Sequence, residues 1–132
     1  MLVREYSDSD LNALIAMHRA QGFDYPLPDL RDPIFVSKLV LQDDAGNAVM
    51  AALARLTCEM YLLLDPKAGT PRERYARLLE LHRVGANDLR VRGLDDAHAW
   101  LPPRIAQRFG RRLATLGWIR DDAWTPYCKR LR

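Results

Sequence analysis

The sequence contains little cysteine and no long hydrophobic run. Its two cysteines, Cys58 and Cys128, are too few for a disulfide framework or a four-cysteine zinc site. We therefore expect two reduced thiols, as in a cytoplasmic protein. No apolar stretch approaches the roughly 18 residues that a membrane-spanning helix needs. The N-terminal residues also lack the basic-then-apolar order of a secretory signal. Together these absences predict a cytoplasmic protein without a membrane span.

Several catalytic motifs are missing as well. The chain has no H-E-x-x-H, no cysteine–histidine cluster at zinc spacing and no G-x-S-x-G. Metal-dependent and serine-dependent hydrolysis therefore lack support, and we expect no metal. We also find no internal repeat and no low-complexity segment.

The composition is that of a globular chain. It has 132 residues, of which 48% are hydrophobic and 28% are charged, and a domain of this size buries roughly two-thirds of its unfolded surface. We predict a single domain over residues 1–132. The net charge of +3 is unevenly distributed, with −5 over residues 1–65 and +8 over residues 66–132. Only three of the twenty basic residues are lysines, and arginine suits bidentate contacts with phosphate.

The first half of the chain predicts mainly strands. Ser7, with Asp10 three residues later, favours a helix start, and Gly22 favours its end. Asp43–Gly46 separates two apolar runs, as in a hairpin. A third run is almost continuously apolar, which is typical of a strand covered on both faces. The predicted elements are a strand at Leu2–Tyr6, a helix at Asp8–Gln21, at most a short helix at Asp29–Phe35, and strands at Val36–Gln42, Asn47–Leu56 and Cys58–Leu64.

The second half predicts two helices and three short strands. Thr70-Pro71-Arg72-Glu73 combines an N-cap threonine, a proline at the first helical position and a glutamate that can close a capping box. The predicted elements are a helix from this start to about Arg92, a strand at Leu94–Leu101, a helix around Ile105–Leu116, and closing strands at Trp118–Arg120 and Pro126–Leu131.

This order predicts an α/β fold of the α+β type. An antiparallel meander followed by a right-handed strand–helix–strand crossover gives a mixed sheet with helices on both faces.

Three segments carry a resemblance to the general-control-type N-acetyltransferase (GNAT) superfamily. Tyr61–Pro66 leads through a glycine-containing loop into Thr70-Pro71, which is similar to the family's fourth strand and pyrophosphate loop. Arg112–Trp118 resembles the F-Y-x-x-L-G-F end of the fourth helix, and Tyr127–Leu131 resembles the last strand. The resemblance implies a single-domain GNAT-like fold and binding of acetyl-CoA.

The resemblance also implies the coenzyme contacts. The family's loop binds the pyrophosphate with backbone amides at a helix N-terminus, where N–H groups and the helix dipole favour anions. This chain departs from the family pattern: it has one glycine in the loop, and Pro71 has no N–H to donate. The alternative is a well-capped structural helix. The candidate cofactor-binding residues are Lys67, Gly69, Thr70, Arg72 and Arg74.

The catalytic groups that the resemblance implies are partly replaced. The tyrosine that protonates the departing thiolate in many members corresponds to Leu113, which cannot transfer a proton. Tyr127 is a substitute candidate, although it could simply pack in the sheet. Glu59, at the start of the fourth strand, is the candidate base unless it is an exposed strand-end residue. His98 is another candidate because strand alternation places Asp96 on its side of the strand, whereas a polar patch is the simpler interpretation.

The sequence therefore predicts an acetyl-CoA-dependent N-acyltransferase that acts on a small amine or a peptide N-terminus. The alternative is a catalytically inactive GNAT-fold module for binding or oligomerisation. Trp100, Trp118 and Trp124 are compatible with an exposed apolar edge and a homodimer. Four arginines share one flank of the last helix and could meet a coenzyme phosphate or solvent, but without aromatic residues between them they do not favour nucleic acid. These are Arg104, Arg108, Arg111 and Arg112.

Overall fold

The computed structural model describes residues 1–132 and contains both helices and strands. A single turn of 3-10 helix at Asp8–Asp10 leads into the first α-helix. The elements in chain order are β1 (Leu2–Glu5), α1 (Leu11–Gln21), β2 (Phe35–Gln42), β3 (Ala48–Arg55), β4 (Cys58–Glu59), α2 (Pro71–Val91), β5 (Ala97–His98) and α3 (Pro103–Thr115).

Strands β1, β2 and β3 form the predicted antiparallel meander. Leu2 pairs with Gln42 at one end of the sheet, and Val40 pairs with Ala51 near its middle. The β2–β3 turn is held by the Asp43 carboxylate, which accepts hydrogen bonds from the N–H groups of Ala45 and Asn47 at 3.0 and 2.8 Å. The hairpin signal in the sequence is thereby confirmed.

The buried core lies against this sheet. Val40 is 0% exposed and packs with Leu14 of α1 and with Leu30. Leu30 belongs to the segment for which the sequence allowed at most a short helix. That segment forms turns, in which the Asp32 carboxylate accepts the Ile34 N–H at 2.9 Å. An aspartate that binds the backbone two residues ahead stabilises a turn in place of a helix.

The start of α1 is fixed by an ion pair. The Asp10 carboxylate accepts hydrogen bonds from both terminal nitrogens of Arg4 at 2.7 Å and from the Ser7 N–H at 2.8 Å. Hydrogen bonds from Arg4 and Ser7 hold the pKa of Asp10 well below its usual value. The predicted capping arrangement at Ser7 and Asp10 is present, and it ties β1 to α1.

The later strands are shorter than predicted. β4 ends at Glu59 where the sequence favoured a strand to Leu64, and β5 covers two residues of the predicted Leu94–Leu101. The closing strands at Trp118–Arg120 and Pro126–Leu131 do not form.

β4 and β5 pair in parallel, so the strand–helix–strand crossover through α2 is present in short form. They form a separate two-stranded sheet instead of joining one mixed sheet. A strand requires a neighbouring strand to bind its backbone groups, and local apolar pattern alone cannot supply one.

Residue contacts divide the chain into two compact units. The sheet unit consists of Met1–Cys58 with Asn87–His98, and the helical unit consists of Glu59–Ala86 with Ala99–Arg132. All five buried residues, including Asp10, lie in the sheet unit, and only Val40 is fully buried. None of the helices combines the length and apolar character needed to cross a membrane.

Candidate functional site

The N-terminus of α2 is closed by a capping box, as the sequence predicts. The Thr70 N–H donates to Oε2 of Glu73 at 2.7 Å, and the Glu73 N–H donates to Oγ1 of Thr70 at 3.3 Å. The bond from the Thr70 N–H lowers the pKa of Glu73. Gly69 precedes the box with φ of +80°, and a Cβ atom there would lie 2.8 Å from Oε2 of Glu73. The loop is therefore built for glycine and for a carboxylate cap.

Two arginines of α2 bind the same loop through its carbonyl groups. Arg74 donates to the Gly69 carbonyl, and Nη1 of Arg77 donates to the Ala68 carbonyl at 2.9 Å. The Lys67 N–H donates to Oδ1 of Asp65 at 2.8 Å. Among the residues predicted to bind a cofactor, Gly69, Thr70 and Arg74 thus make bonds that hold the loop itself. This arrangement agrees with the structural-helix alternative for the loop.

Arg72 is the exception, because it lines a cleft in the helical unit. The cleft has a volume of about 360 Å³ and lies between the first turn of α2 and the last turns of α3. Its lining residues are Pro71, Arg72, Tyr75, Arg111, Arg112 and Thr115. The structure therefore brings a predicted cofactor-binding residue together with two arginines from the basic flank of α3.

The positive charge of this cleft is not neutralised by ion pairs. Six other arginines form salt bridges with carboxylates, and the three cleft arginines belong to none of those pairs. Arg112 lies over the ring of Tyr75, with its guanidinium carbon 5.4 Å from the ring centre. Such a contact positions a guanidinium without consuming its N–H donors. The cleft can therefore bind an anion through side-chain donors.

The sequence did not identify Tyr75 or Thr115 as site residues. Tyr75 lies three residues after Arg72 on α2, the spacing that places both on one side of a helix. Thr115 stands three residues after Arg112 on α3 and donates its hydroxyl hydrogen to the Arg112 carbonyl at 2.7 Å. Their helical spacing from Arg72 and Arg112 was the only sequence signal for these two residues. It does not show that the start of α2 and the end of α3 meet.

The candidate catalytic residues have different surroundings. Glu59 is exposed in β4 and forms a side-chain hydrogen bond with Tyr61, which raises the pKa of that tyrosine. Tyr127 is 94% exposed and lies outside any strand, because the predicted closing strand is missing. The expectation that Tyr127 stands in a last strand was therefore wrong.

His98 has the predicted carboxylate neighbour. Its Nε2 lies 3.6 Å from Oδ2 of Asp96 within the sheet unit. The sequence missed Arg55, whose Nη2 bridges Asp95 at 2.8 Å and Asp96 at 2.7 Å. The carboxylate that faces the imidazole is thus shared with a guanidinium.

The other two histidines lie on helices and differ in their hydrogen bonding. His82 is hydrogen-bonded, since the indole N–H of Trp118 donates to its Nε2 at 3.0 Å. His18 differs, because its Nε2 is buried without a hydrogen-bond partner while its ring contacts Phe23 and Tyr25. No three side chains among the histidines, cysteines, aspartates and glutamates are grouped so that they could hold a metal ion.

Comparison with known proteins leaves the family open. No protein-family model, no curated protein and no solved structure matches the chain.

Proposed function

We propose that the protein is a cytoplasmic, acetyl-CoA-dependent N-acyltransferase with a GNAT-like topology, and that the coenzyme binds in the Arg72 cleft. The observation that carries the proposal is the convergence of Arg72, Arg111 and Arg112 on one cleft beside the start of α2. Guanidinium groups bind phosphate oxygens through paired N–H donors, and the N-terminal end of α2 adds a favourable dipole. Both cysteines are free thiols, which agrees with a reducing compartment.

The fit to coenzyme A is good for phosphate oxygens and poor for a backbone cradle. Pro71 has no N–H, and the capping box engages the N–H groups of Thr70 and Glu73. The phosphates must therefore be held mainly by arginine side chains. This is the respect in which the chain departs most from the family it resembles.

The transfer itself would be a direct attack by the amine on the thioester carbonyl. The new C–N bond forms as the C–S bond breaks, the coenzyme leaves as thiolate, and the amine loses one proton. Glu59 and His98 are the candidate acceptors of that proton. Leu113 cannot protonate the thiolate, and Tyr127 is the remaining candidate for that step.

The first test measures coenzyme binding and turnover. We expect acetyl-CoA at 100 times its dissociation constant to stabilise the protein by about 2.7 kcal/mol in a thermal-shift assay. Arg72→Ala should weaken acetyl-CoA binding by about 1–3 kcal/mol, the scale of a lost charge-assisted hydrogen bond. Arg90→Ala, which removes an exposed arginine in the last turn of the same helix, is the matched control and should change nothing. No thermal shift at millimolar acetyl-CoA would exclude the proposal.

The second candidate is a GNAT-fold binding module without catalysis. Two observations favour it: Leu113 stands where a proton donor is needed, and Tyr127 lies exposed outside any strand. A thiol-release assay with a panel of small amines and peptide N-termini separates the two. Coenzyme binding without thiol release from any acceptor would favour the module, whereas release that depends on Glu59 or His98 would establish the enzyme.

A further inference from the structure

We infer that the Arg72 cleft recognises a phosphate monoester dianion, through the guanidinium groups of Arg72, Arg111 and Arg112. The inference rests on the proposed function only in its choice of ligand, since coenzyme A carries such a group as its 3′-phosphate. It goes further in assigning the recognised group: a terminal phosphate with three unsubstituted oxygens, in place of the bridging diphosphate.

The donors of the cleft are the first argument. The α2 N-terminus has used the N–H groups of Thr70 and Glu73 in its own cap, and Pro71 contributes none. The Thr115 hydroxyl gives its hydrogen to the Arg112 carbonyl. What remains for an anion is largely the set of three guanidinium groups. A diphosphate bound along a loop depends on successive backbone amides, whereas a terminal phosphate suits guanidinium forks.

The charge balance is the second argument. Arg74 and Arg77 donate hydrogen bonds to loop carbonyls, and the Glu73 carboxylate accepts the hydrogen bond of the capping box. These three side chains therefore have partners within the loop and the cap. The three cleft arginines belong to no salt bridge of the chain and contribute three positive charges. A monoester carries between −1.5 and −2 at pH 7, and each phosphate of a bridging diphosphate diester carries about −1. The more concentrated charge gains more from three converging cations.

The geometry of Arg112 is the third argument. Its guanidinium lies over the Tyr75 ring, 5.4 Å from the ring centre, so a rigid aromatic side chain limits where the guanidinium can move. An arginine fixed in this way loses less conformational entropy when it binds. The cleft is thus partly arranged for a ligand before the ligand arrives.

The decisive experiment compares ligands that differ in one phosphate. Isothermal titration at 50 mM salt and pH 7.5 would use coenzyme A, 3′-dephospho-coenzyme A, which keeps the bridging diphosphate but has no monoester, and adenosine 3′,5′-bisphosphate. We expect loss of the 3′-phosphate to weaken binding by about tenfold or more, the factor that corresponds to one charge-assisted contact. Adenosine 3′,5′-bisphosphate should retain most of the affinity. Equal affinity for coenzyme A and its dephospho form would overturn the inference and leave the proposed coenzyme site standing.

The pH dependence gives an independent readout. Phosphate monoesters lose their second proton near pH 6, while arginine stays protonated and a diphosphate diester keeps its charge. Affinity for adenosine 3′,5′-bisphosphate should therefore rise between pH 5 and pH 7.5. An affinity that stays flat across this interval would contradict recognition of the dianion.

A matched pair of variants locates the site. Arg111→Gln should weaken coenzyme A binding by about tenfold and should abolish the preference over the dephospho form. Arg108→Gln removes an exposed arginine from the same helix outside the cleft and should leave both affinities unchanged. Circular dichroism checks that both variants keep their helix content. Equal effects of the two substitutions would indicate nonspecific attraction by the basic helix and would overturn the assignment.

The ligand series also separates this inference from the proposed function. Tight binding of adenosine 3′,5′-bisphosphate with no binding of acetyl-CoA would support the monoester site and exclude the acyltransferase. The source of the phosphate would then be a nucleotide other than coenzyme A.

Discussion

The sheet unit and the helical unit use their residues in different ways. In the sheet unit, Leu14, Leu30 and Val40 are almost completely buried, and the Arg4–Asp10 ion pair ties β1 to the start of α1. In the helical unit no residue is buried, and Leu63 and Ile119 are 90% and 88% exposed. The first unit has the features that stabilise a fold, and the second has the cleft and the unneutralised arginines. The buried core and the basic cleft therefore lie in separate units of the chain.

Replacing one leucine by alanine in each unit tests this division. It has the largest expected effect on the free energy of unfolding. Leu14→Ala should lower the free energy of unfolding by about 3 kcal/mol, because it removes buried methyl groups and leaves a cavity. Leu79→Ala, in the helical unit, should cost less than about 1 kcal/mol since its side chain is 41% exposed. Urea denaturation followed by circular dichroism measures both. Equal losses would show that the helical unit is packed as tightly as the sheet unit.

The ion pair of the sheet unit predicts a pH dependence. The pKa of Asp10 in the folded protein lies below its ordinary value of 3.8 because Arg4 and Ser7 donate hydrogen bonds to the carboxylate. A group with a lowered folded pKa stabilises the protein above its unfolded pKa, and that contribution is lost as the pH falls from about 4 toward the folded value. Asp10→Asn should therefore be less stable than the wild type at pH 7, with a difference that shrinks below pH 4.

Denaturant titrations at pH 7, 4 and 3 measure this difference. Asp24→Asn is the control, since Asp24 lies exposed between α1 and β2 and belongs to none of the salt bridges. A gap between Asp10→Asn and the wild type that does not change with pH would contradict the assignment to the charged carboxylate.

Substituting one glycine in a loop of each unit has the smallest expected effect on stability. Gly69 and Gly93 have nearly the same backbone angle, with φ of +80° and +83°. Gly93→Ala should cost about 1 kcal/mol from the left-handed conformation alone, because nothing lies within 4 Å of the added Cβ. Gly69→Ala should cost about 1 kcal/mol more because the new Cβ displaces Glu73 from the capping box. Thermal melts of the two variants check the difference. Identical melting temperatures would mean that the capping box contributes nothing to stability.

The sequence predicted the parts of the fold that depend on local signals. Ser7 with Asp10 and Thr70 with Glu73 are short-range caps, and both form. Asp43–Gly46 is a short-range turn, and it also forms. Met60–Leu64 has the residues of a strand, but a strand depends on a distant partner, and none of those five residues is in a strand. Capping and turn residues therefore predicted local structure correctly, whereas the apolar pattern did not predict strands that need a distant partner.

The candidate site shows the same limit. Arg72 could be identified because it sits next to a recognisable helix start. Arg111 and Arg112 could be identified as a basic flank, but their place beside Tyr75 depends on how α2 and α3 pack within the helical unit. The spacing of residues along the chain does not predict that the start of α2 and the end of α3 lie together. Arg55 was missed for the same reason, since its partner Asp96 is 41 residues away.

The segment between α1 and β2 has neither helix nor strand, yet it is fastened at both ends. The ammonium group of Lys38 donates to the Leu30 carbonyl at 2.7 Å, and Leu30 itself is buried. At the other end, the rings of Phe23 and Tyr25 contact each other and His18, with centres 5.1–5.4 Å apart. Side-chain contacts thus order a segment that has no backbone ladder of its own, and the conformational entropy lost in ordering it is offset by burial and by these contacts.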